Sequence, residues 1–166
     1  MDAPILILTG ERGAGKSTAC ERLDSLARAQ GYSCGGLITR RLPDGQREVL
    51  DVASGVARRL TLPPCPALPE SKSALSVIHQ GQDRFDLHAL AWAGAALAHA
   101  LPCHLLVIDE LGPLEIVHGR GWTQAFTVLG NNTFELAVIV VRPELIPAAQ
   151  ARLAGRATSV LKLSEA

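Results

Sequence analysis

Hydrophobic residues occur along this chain in two patterns, short continuous runs and longer segments that repeat every three or four positions. Apolar runs at 4–9 and 104–109 are typical of strands that are buried on both faces of a parallel sheet, and a further strand is predicted at 35–39. Since parallel neighbours need a crossover between them, the intervening chain has to supply helices. Further strands are predicted at 74–79, 134–141 and 157–163.

Segments with helical periodicity lie between these runs. Over 16–30 one face is apolar and Gly31 ends the pattern; its apolar residues are Ala19, Leu23, Leu26 and Ala27. Over 86–101 Asp86 is placed as the N-cap, and the apolar face holds Leu87, Leu90, Ala91, Gly94, Leu97, Ala98 and Leu101. Helices are also predicted near 119–130 and at 143–154. This alternation indicates an α/β fold, with a mainly parallel central sheet and helices on both faces.

A different pattern occupies 37–79. Turn signals at Pro43-Asp44-Gly45 and Ser54-Gly55 separate β-prone stretches, which predicts an antiparallel ribbon of two or three strands over 37–62. No repeat or composition shift marks a domain boundary. We therefore interpret 1–166 as a single domain and 37–79 as a ribbon or lid insertion on it.

The composition is that of a globular domain that can bury a core. Hydrophobic residues make up 48% of the chain and charged residues 19%, which excludes a disordered chain. Sixteen basic residues balance sixteen acidic ones. The net charge therefore indicates neither a nucleic-acid partner nor an anionic membrane.

The cysteines and the first residues of the chain indicate the cellular compartment. Cys20, Cys34, Cys65 and Cys103 lack the spacing of a zinc site or a redox pair. The first residues lead into an apolar strand without the basic segment of a secretion signal, and no apolar run reaches the ~18 residues of a membrane span. We expect a cytoplasmic protein with reduced thiols; protein partners and oligomeric state stay open.

One motif points directly to a ligand. Residues 10–17 read Gly-Glu-Arg-Gly-Ala-Gly-Lys-Ser and match the phosphate-binding loop, or Walker A pattern, G-x-x-x-x-G-K-[ST] at every fixed position. The motif follows an apolar strand and opens a helix, which is the context it requires. The predicted nucleotide-binding residues are Gly10, Glu11, Arg12, Gly13, Ala14, Gly15, Lys16, Ser17 and Thr18.

Each residue type in this P-loop suits a triphosphate. The glycines let backbone N–H groups wrap closely round the phosphates, and the N-terminus of the following helix adds favourable partial charge. Lys16 is placed to reach the β- and γ-phosphates as a catalytic residue, Ser17 to bind Mg²⁺, and Thr18 to lie near the α-phosphate. The alternative, a glycine-rich turn with an exposed lysine, does not explain the strand before it and the helix after it. We predict ATP or GTP with Mg²⁺ as ligands.

A second motif, Leu-Leu-Val-Ile-Asp-Glu at 105–110, is typical of a Walker B strand. Such a strand brings Asp109 beside the P-loop, where it holds Mg²⁺ directly or through water. Glu110 is then the predicted catalytic residue that polarises a water for in-line attack on the γ-phosphate. The alternative is an ordinary strand end with solvated acids, and the preceding P-loop favours the functional interpretation.

Several arginines have two possible roles, one functional and one structural. Arg142 follows a strand at the edge where ligands bind in such sheets, and either contacts the γ-phosphate or forms a surface ion pair. Arg40, Arg41 and Arg47 flank the ribbon turn, and either close over phosphates or form a solvated charged hairpin. No functional role is predicted for the histidines, which lack metal-ligand spacing, or for the tryptophans: His79, His88, His99, His104, His118, Trp92 and Trp122.

Together the motifs resemble a known family of small P-loop nucleoside-triphosphatases, the thermophile and cancer-related type. Val-Ile-Asp-Glu-Leu-Gly-Pro-Leu-Glu at 107–115 resembles the Asp-Glu-Ile-Gly-x-Met-Glu signature of that family. Gly-Gly-Leu-Ile-Thr at 35–39 resembles its Gly-Gly-Phe-x-Thr segment. Val-Ala-Ser-Gly at 52–55 and the segment 81–87 are similar to further family elements, in the same order along the chain.

This resemblance implies a P-loop fold with an additional strand and a catalytic glutamate, and slow, base-tolerant hydrolysis of NTP to NDP and phosphate. The matching positions are the P-loop, Asp109, Glu110 and Glu115. The role of Glu115 is left open, and one possibility is that it braces the loop after the strand. Two segments depart from the family. Thr39-Arg40-Arg41 stands in place of Thr-Glu-Glu, and Val140-Val141-Arg142-Pro143 in place of Gly-Thr-Val-Pro.

The sequence supports three functions. Mg²⁺-dependent hydrolysis of a nucleoside triphosphate is the leading prediction. A small-molecule kinase on the same fold needs an acceptor pocket and an arginine-bearing lid, although a glutamate directly after the Walker B aspartate suits water activation better. A nucleotide-dependent switch or accessory protein would use the same residues and deliver its output by binding a partner. The preferred base and the physiological role stay open at this point.

Overall fold

Strands and helices alternate through the computed structural model, which describes residues 3–63, 77–80, 83–131 and 133–164. The described strands are β1 (Ile5–Thr9), β2 (Cys34–Arg41), β3 (Arg47–Asp51), β4 (Ala57–Arg59), β5 (Val77–Gln80), β6 (Asp83–Asp86), β7 (Leu105–Leu111), β8 (Leu136–Val141) and β9 (Thr158–Lys162). The described helices are α1 (Lys16–Ala29), α2 (Leu87–Ala98), α3 (Pro113–Ile116), α4 (Gln124–Gly130) and α5 (Ile146–Arg152).

Seven strands form one mixed sheet in the order β4-β3-β2-β7-β8-β1-β9. The five strands from β2 to β9 in that order are parallel neighbours, whereas β3 and β4 extend the β2 edge as antiparallel strands. One strand, β8, lies between β1, which leads into the P-loop, and β7, which carries Asp109 and Glu110. This order confirms the predicted additional strand. Because the parallel strands share a direction, their carboxyl ends meet at one edge of the sheet.

The predicted ribbon is continuous with this sheet. Within β2, residues 34–38 pair with β7 and residues 37–41 pair with β3. Val49 and Leu60 are buried in the core, so the body of the ribbon is anchored there. β5 and β6 form a separate antiparallel hairpin that leads into α2. Residues 64–76, with Cys65 and the start of the strand predicted at 74–79, lie outside the described residues.

Side chains alternate across the sheet and form a core on each face. In β7, Leu106 and Ile108 pack in the cluster that includes α2 and α4, whereas Leu105 and Val107 pack in the cluster that includes α1. Helices therefore cover both faces, as predicted. At Gly36, where φ is +112°, a Cβ atom would overlap the Val107 carbonyl oxygen, so this strand position requires glycine.

The buried faces of the first two helices differ in detail from the predicted ones. Leu26 is 65% exposed, and Cys20 fills the core position of α1 instead. Cys20, Leu23 and Ala27 lie along one stripe of the helix, and Leu26 lies outside it. In α2 the predicted Leu90, Gly94 and Leu97 are buried, whereas Ala91 and Ala98 are exposed and Ala89 and Ala93 are buried instead. None of the helices in the described ranges is long and apolar enough to cross a membrane.

The chain between β7 and β8 also differs from the prediction. The helix predicted near 119–130 begins only at Gln124, because Gly119 and Gly121 adopt positive φ angles of 59° and 72° that a helix cannot contain. A short helix, α3, precedes this turn, with Pro113 in its first turn. As a result β7 is followed by a compact loop rather than directly by a long helix.

Candidate active site

The loop between β1 and α1 encloses a cavity of about 510 Å³ at the carboxyl edge of the sheet. All the predicted nucleotide-binding residues except Ala14 line this phosphate cavity, together with Glu110, Arg142 and Arg47. Gly15 takes a left-handed conformation with φ +81° immediately before α1, and no side chain caps that helix. The N–H groups of the first helical turn are therefore open to an anionic ligand.

Lys16 is held by its own loop. Its Nζ atom donates hydrogen bonds to the carbonyl oxygens of Gly10 at 2.7 Å and Glu11 at 2.6 Å. An ammonium group has three donors, so one remains for a phosphate oxygen. The two carbonyl oxygens hold the positive charge in the wall of the phosphate cavity.

Asp109 is buried where β7 reaches the carboxyl edge, with 2% of its surface exposed. Its backbone carbonyl accepts a hydrogen bond from Thr39 Oγ1 at 2.6 Å, which ties β7 to β2. Burial raises the pKa of the Asp109 carboxyl to about 7, although a hydrogen bond from the Ser17 hydroxyl lowers it. Its Oδ2 atom is buried with no hydrogen-bond partner, a state that costs free energy unless a ligand relieves it.

Ser17 and Asp109 fit a hard divalent cation. They offer a hydroxyl and a carboxylate, and the unpartnered Oδ2 atom supplies an unused ligand oxygen. Across the described ranges no group of three or more His, Cys, Asp or Glu side chains is placed to hold a metal. Mg²⁺ keeps several waters and substrate phosphates among its ligands, so one or two protein oxygens suffice.

Glu110 and Arg142 form an ion pair at the rim of the phosphate cavity. The Arg142 guanidinium donates to Glu110 Oε1 from Nε at 3.1 Å and from Nη2 at 3.0 Å. Both side chains are only partly exposed, at 26% for Glu110 and 41% for Arg142. Within the described chain Glu110 Oε2 has no hydrogen bond, so this oxygen can accept one from a ligand or water.

Glu115 braces the loop that follows β7. Only 4% of it is exposed, and its carboxylate accepts hydrogen bonds from the backbone N–H groups of Gly112 at 3.1 Å and Trp122 at 3.3 Å. Burial raises the pKa of Glu115 to about 7, although these N–H groups lower it. These contacts support the bracing role that the sequence left open for Glu115.

A larger cleft of about 750 Å³ opens directly beside the phosphate cavity. The two spaces share part of their walls, namely Arg12, Ser17, Arg47, Glu110 and Arg142. The wall of this larger cleft also includes apolar and aromatic residues, namely Leu60, Phe85, Leu90 and Trp122. We refer to this space below as the second cleft.

The ribbon arginines line the second cleft and are partly engaged. Arg40 pairs with Glu21 at 2.5 Å, and Arg47 pairs with Asp83 at 2.9 Å. Arg41 lines the second cleft beside them. They are therefore wall residues rather than a freely solvated hairpin.

Sequence patterns did not mark every residue of this region. Three residues that line the second cleft, Phe85, His118 and Trp122, had no role predicted from the sequence. Their positions depend on the β5–β6 hairpin and on the loop after α3, which only the complete fold brings beside the P-loop. Trp92, in contrast, packs as predicted, with the Arg58 guanidinium 4.7 Å from its ring centre.

This chain is similar to known nucleoside-triphosphatases. A family model described as NTPase matches residues 5–162. The nucleoside-triphosphatase THEP1 of Methanosarcina acetivorans is 31% identical over 139 residues, which is 81% of this chain and 74% of the relative. The protein of the same name from Methanosarcina barkeri is 33% identical over 140 residues, 81% of this chain and 75% of the relative.

A solved structure is also similar. The crystal structure of THEP1 from the hyperthermophile Aquifex aeolicus superposes with a TM-score of 0.56 and 17% identity, over 96% of this chain and 90% of that chain. At this identity the likeness shows that the two chains share a fold. It agrees with the sheet order and with the helices on both faces.

Proposed function

This chain belongs to the NTPase family, and from that premise we propose that it binds a nucleoside triphosphate such as ATP or GTP with Mg²⁺ and hydrolyses it to the diphosphate and phosphate. The observation that carries the proposal is the position of Glu110, which directly follows Asp109 and lines the same cavity as the P-loop. The relatives named nucleoside-triphosphatase support the same reaction.

The P-loop accounts for binding of the triphosphate. Backbone N–H groups at the start of α1 and the Lys16 ammonium group neutralise the β- and γ-phosphates. Ser17 and Asp109 are the residues that would hold Mg²⁺, which supplies positive charge to the β- and γ-phosphate oxygens when bound. Asp109 is well placed for this, because its buried Oδ2 atom has no other partner in the described chain.

Glu110 is the proposed general base. Its Oε2 atom accepts a proton from a water whose oxygen forms a bond to the γ-phosphorus. The bond from that phosphorus to the β–γ bridging oxygen breaks, and the diphosphate leaves with the electron pair. The proton held by Glu110 then passes to solvent or to the released phosphate.

Arg142 is proposed as a positioning residue for this base. Its two hydrogen bonds both end on Glu110 Oε1. They fix the carboxylate while leaving Oε2 for water. Two donors of one guanidinium group on the same oxygen restrict its position more than a single hydrogen bond does.

The test is phosphate release from ATP, GTP, CTP and UTP with Mg²⁺, each repeated in excess EDTA. We expect release from all four nucleotides, because the residues that carry the reaction contact phosphates rather than bases, and we expect EDTA to abolish it. Absence of release from every nucleotide, or full release in EDTA, would contradict the proposal.

We further propose that 1–166 acts as one domain with 37–79 as its lid, and that the protein works in the cytoplasm. The three cysteines in the described residues, Cys20, Cys34 and Cys103, are free thiols, which suits a reducing compartment. Neither a nucleic acid nor a membrane is part of this proposal. The balanced net charge supports that view.

A further inference from the structure

We propose that the second cleft binds a phosphorylated small molecule of the nucleoside-monophosphate type, and that this molecule accepts the γ-phosphoryl group in place of water. This inference rests on the triphosphate site proposed above and adds a second substrate to it. The cleft has a volume of about 750 Å³, which is ample for a mononucleotide. It opens directly onto the phosphate cavity, since both spaces share wall residues.

The arginines favour an anionic acceptor close to the γ-phosphate. Arg12, Arg47 and Arg142 line both spaces, and Arg40 and Arg41 line the second cleft beyond them. Guanidinium groups match the oxygens of a phosphate monoester with paired hydrogen bonds. Their charge also opposes the repulsion between two phosphate groups that must approach each other for transfer.

Four acidic residues lie in the same wall. Asp83 pairs with Arg47 at 2.9 Å, Glu110 pairs with Arg142, and Glu115 accepts two backbone hydrogen bonds. Asp109 is the fourth, and its carboxylate is assigned above to the proposed Mg²⁺ site with Ser17. Arg12 and Arg41, in contrast, form no salt bridge within the described chain. These two guanidinium groups are therefore left for a ligand in the second cleft.

The apolar part of the wall suits a ring. Leu60, Phe85, Leu90 and Trp122 supply apolar and aromatic side chains, and all four are buried. A cleft that combines arginines with such a wall fits a molecule that carries both a phosphate group and a ring, which describes a nucleoside monophosphate.

The transfer balances without a further reactant. An oxygen of the acceptor phosphate forms a bond to the γ-phosphorus, and the bond from that phosphorus to the β–γ bridging oxygen breaks. The electron pair leaves with the nucleoside diphosphate, and the acceptor becomes a second diphosphate. A dianionic phosphate oxygen has no proton to lose, so this reaction places no demand on a general base.

The experiment uses the full chain with Mg²⁺ and ATP labelled at the γ-phosphate, together with AMP, GMP, CMP or UMP. Labelled phosphate and labelled diphosphate are separated by chromatography. With at least one monophosphate we expect labelled diphosphate and a matching fall in labelled phosphate. The Lys16→Ala protein should form neither product, which excludes a contaminating kinase.

Two arginine variants test the site itself. Arg41→Gln removes a cleft guanidinium, and Arg22→Gln removes an exposed one on α1 that lines neither space. Loss of a charged hydrogen bond should raise the monophosphate concentration for half-maximal transfer about tenfold in Arg41→Gln, and Arg22→Gln should match the parent.

Two results would overturn the acceptor site while leaving the triphosphate site intact. One is labelled phosphate without labelled diphosphate for all four monophosphates. The other is transfer by Arg41→Gln with a parent-like requirement for monophosphate. Absence of both labelled products would instead overturn the proposed triphosphate site, and the acceptor site with it.

Discussion

At the scale of single residues, the ion pair between Glu110 and Arg142 links the predicted base to a segment that departs from the family pattern. The sequence left two roles for Arg142, a contact with the γ-phosphate or a surface ion pair. In the structure Arg142 donates two hydrogen bonds to the Glu110 carboxylate at the rim of the phosphate cavity. We therefore propose that Arg142 acts on the reaction through Glu110, in which case its loss affects turnover more than nucleotide binding.

Replacement of Arg142 tests this role. Arg142→Gln removes two charge-assisted hydrogen bonds, so we expect kcat for ATP hydrolysis to fall about ten- to a hundredfold with little change in KM. Arg142→Lys retains the charge and one donor and should recover part of the loss. A raised KM with unchanged kcat would show instead that Arg142 binds the phosphates.

Lys16 allows a separate test of binding. It contacts only loop carbonyls in the described chain, so Lys16→Ala should leave the fold intact while removing positive charge from the phosphate cavity. We expect the affinity for a fluorescent ATP analogue to fall at least about tenfold. Thermal unfolding without nucleotide serves as the control. Unchanged affinity in an intact protein would remove the basis for the P-loop assignment.

At the scale of elements, the loop after β7 depends on a buried carboxylate. The folded-state pKa of Glu115 is raised to about 7 from 4.5, so the folded protein binds more protons than the unfolded chain between these values. The contribution of this group to stability is fully present below the unfolded pKa and is lost as the pH rises through the folded pKa.

Glu115→Gln removes this titration. The free energy of unfolding of the parent, relative to the variant, should fall by about 3 kcal/mol between about pH 4.5 and pH 8. Urea unfolding of both proteins at the two pH values measures this difference, and the titration of Asp109 cancels because both proteins contain it. A difference that stays constant, or that grows in favour of the parent as the pH rises, would contradict the assignment.

The ribbon over 37–62 is the element most suited to respond to nucleotide. Arg40, Arg41 and Arg47, which flank its turn, line the second cleft, and Arg47 also lines the phosphate cavity. Val49 and Leu60 anchor the body of the ribbon in the core. We expect amide hydrogen exchange to slow across 37–62 when a non-hydrolysable ATP analogue binds, most strongly at the turn over 42–46. The buried strand β8 is the internal reference. Equal exchange with and without the analogue would make the ribbon a purely structural element.

The elements that the sequence predicted well are those specified by local pattern. β1, the P-loop and α1 follow one another with their own apolar run, glycines and helical period, and β7 is marked by a continuous apolar run before Asp109 and Glu110. The exposure of Leu26 was not predicted, because it depends on which face of α1 meets the sheet. The late start of α4 was not predicted either, because it depends on the positive φ angles of two glycines. The second cleft escaped prediction as well, since its walls come from distant segments.

At the scale of the whole molecule, the sheet edge gathers the site from four parallel strands. β1 leads into the P-loop, β7 carries the two acids, and β8 leads into Arg142. β2 contacts Asp109 through Thr39 and carries Arg40 and Arg41, whereas Arg47 begins β3. The phosphate cavity and the second cleft adjoin at this edge and share wall residues. Under the two proposals above, water and the acceptor would therefore compete for the same γ-phosphoryl group.

The central claim is that Glu110 activates the attacking water, and single-turnover phosphate release measures it most directly. Glu110→Gln keeps the shape of the side chain but cannot take the proton, so it should bind ATP as the parent does and release phosphate about 10²–10⁴-fold more slowly. Asp109→Asn should behave differently and lose Mg²⁺ and nucleotide affinity together. Parent-like phosphate release by Glu110→Gln would contradict the account and move the catalytic base elsewhere.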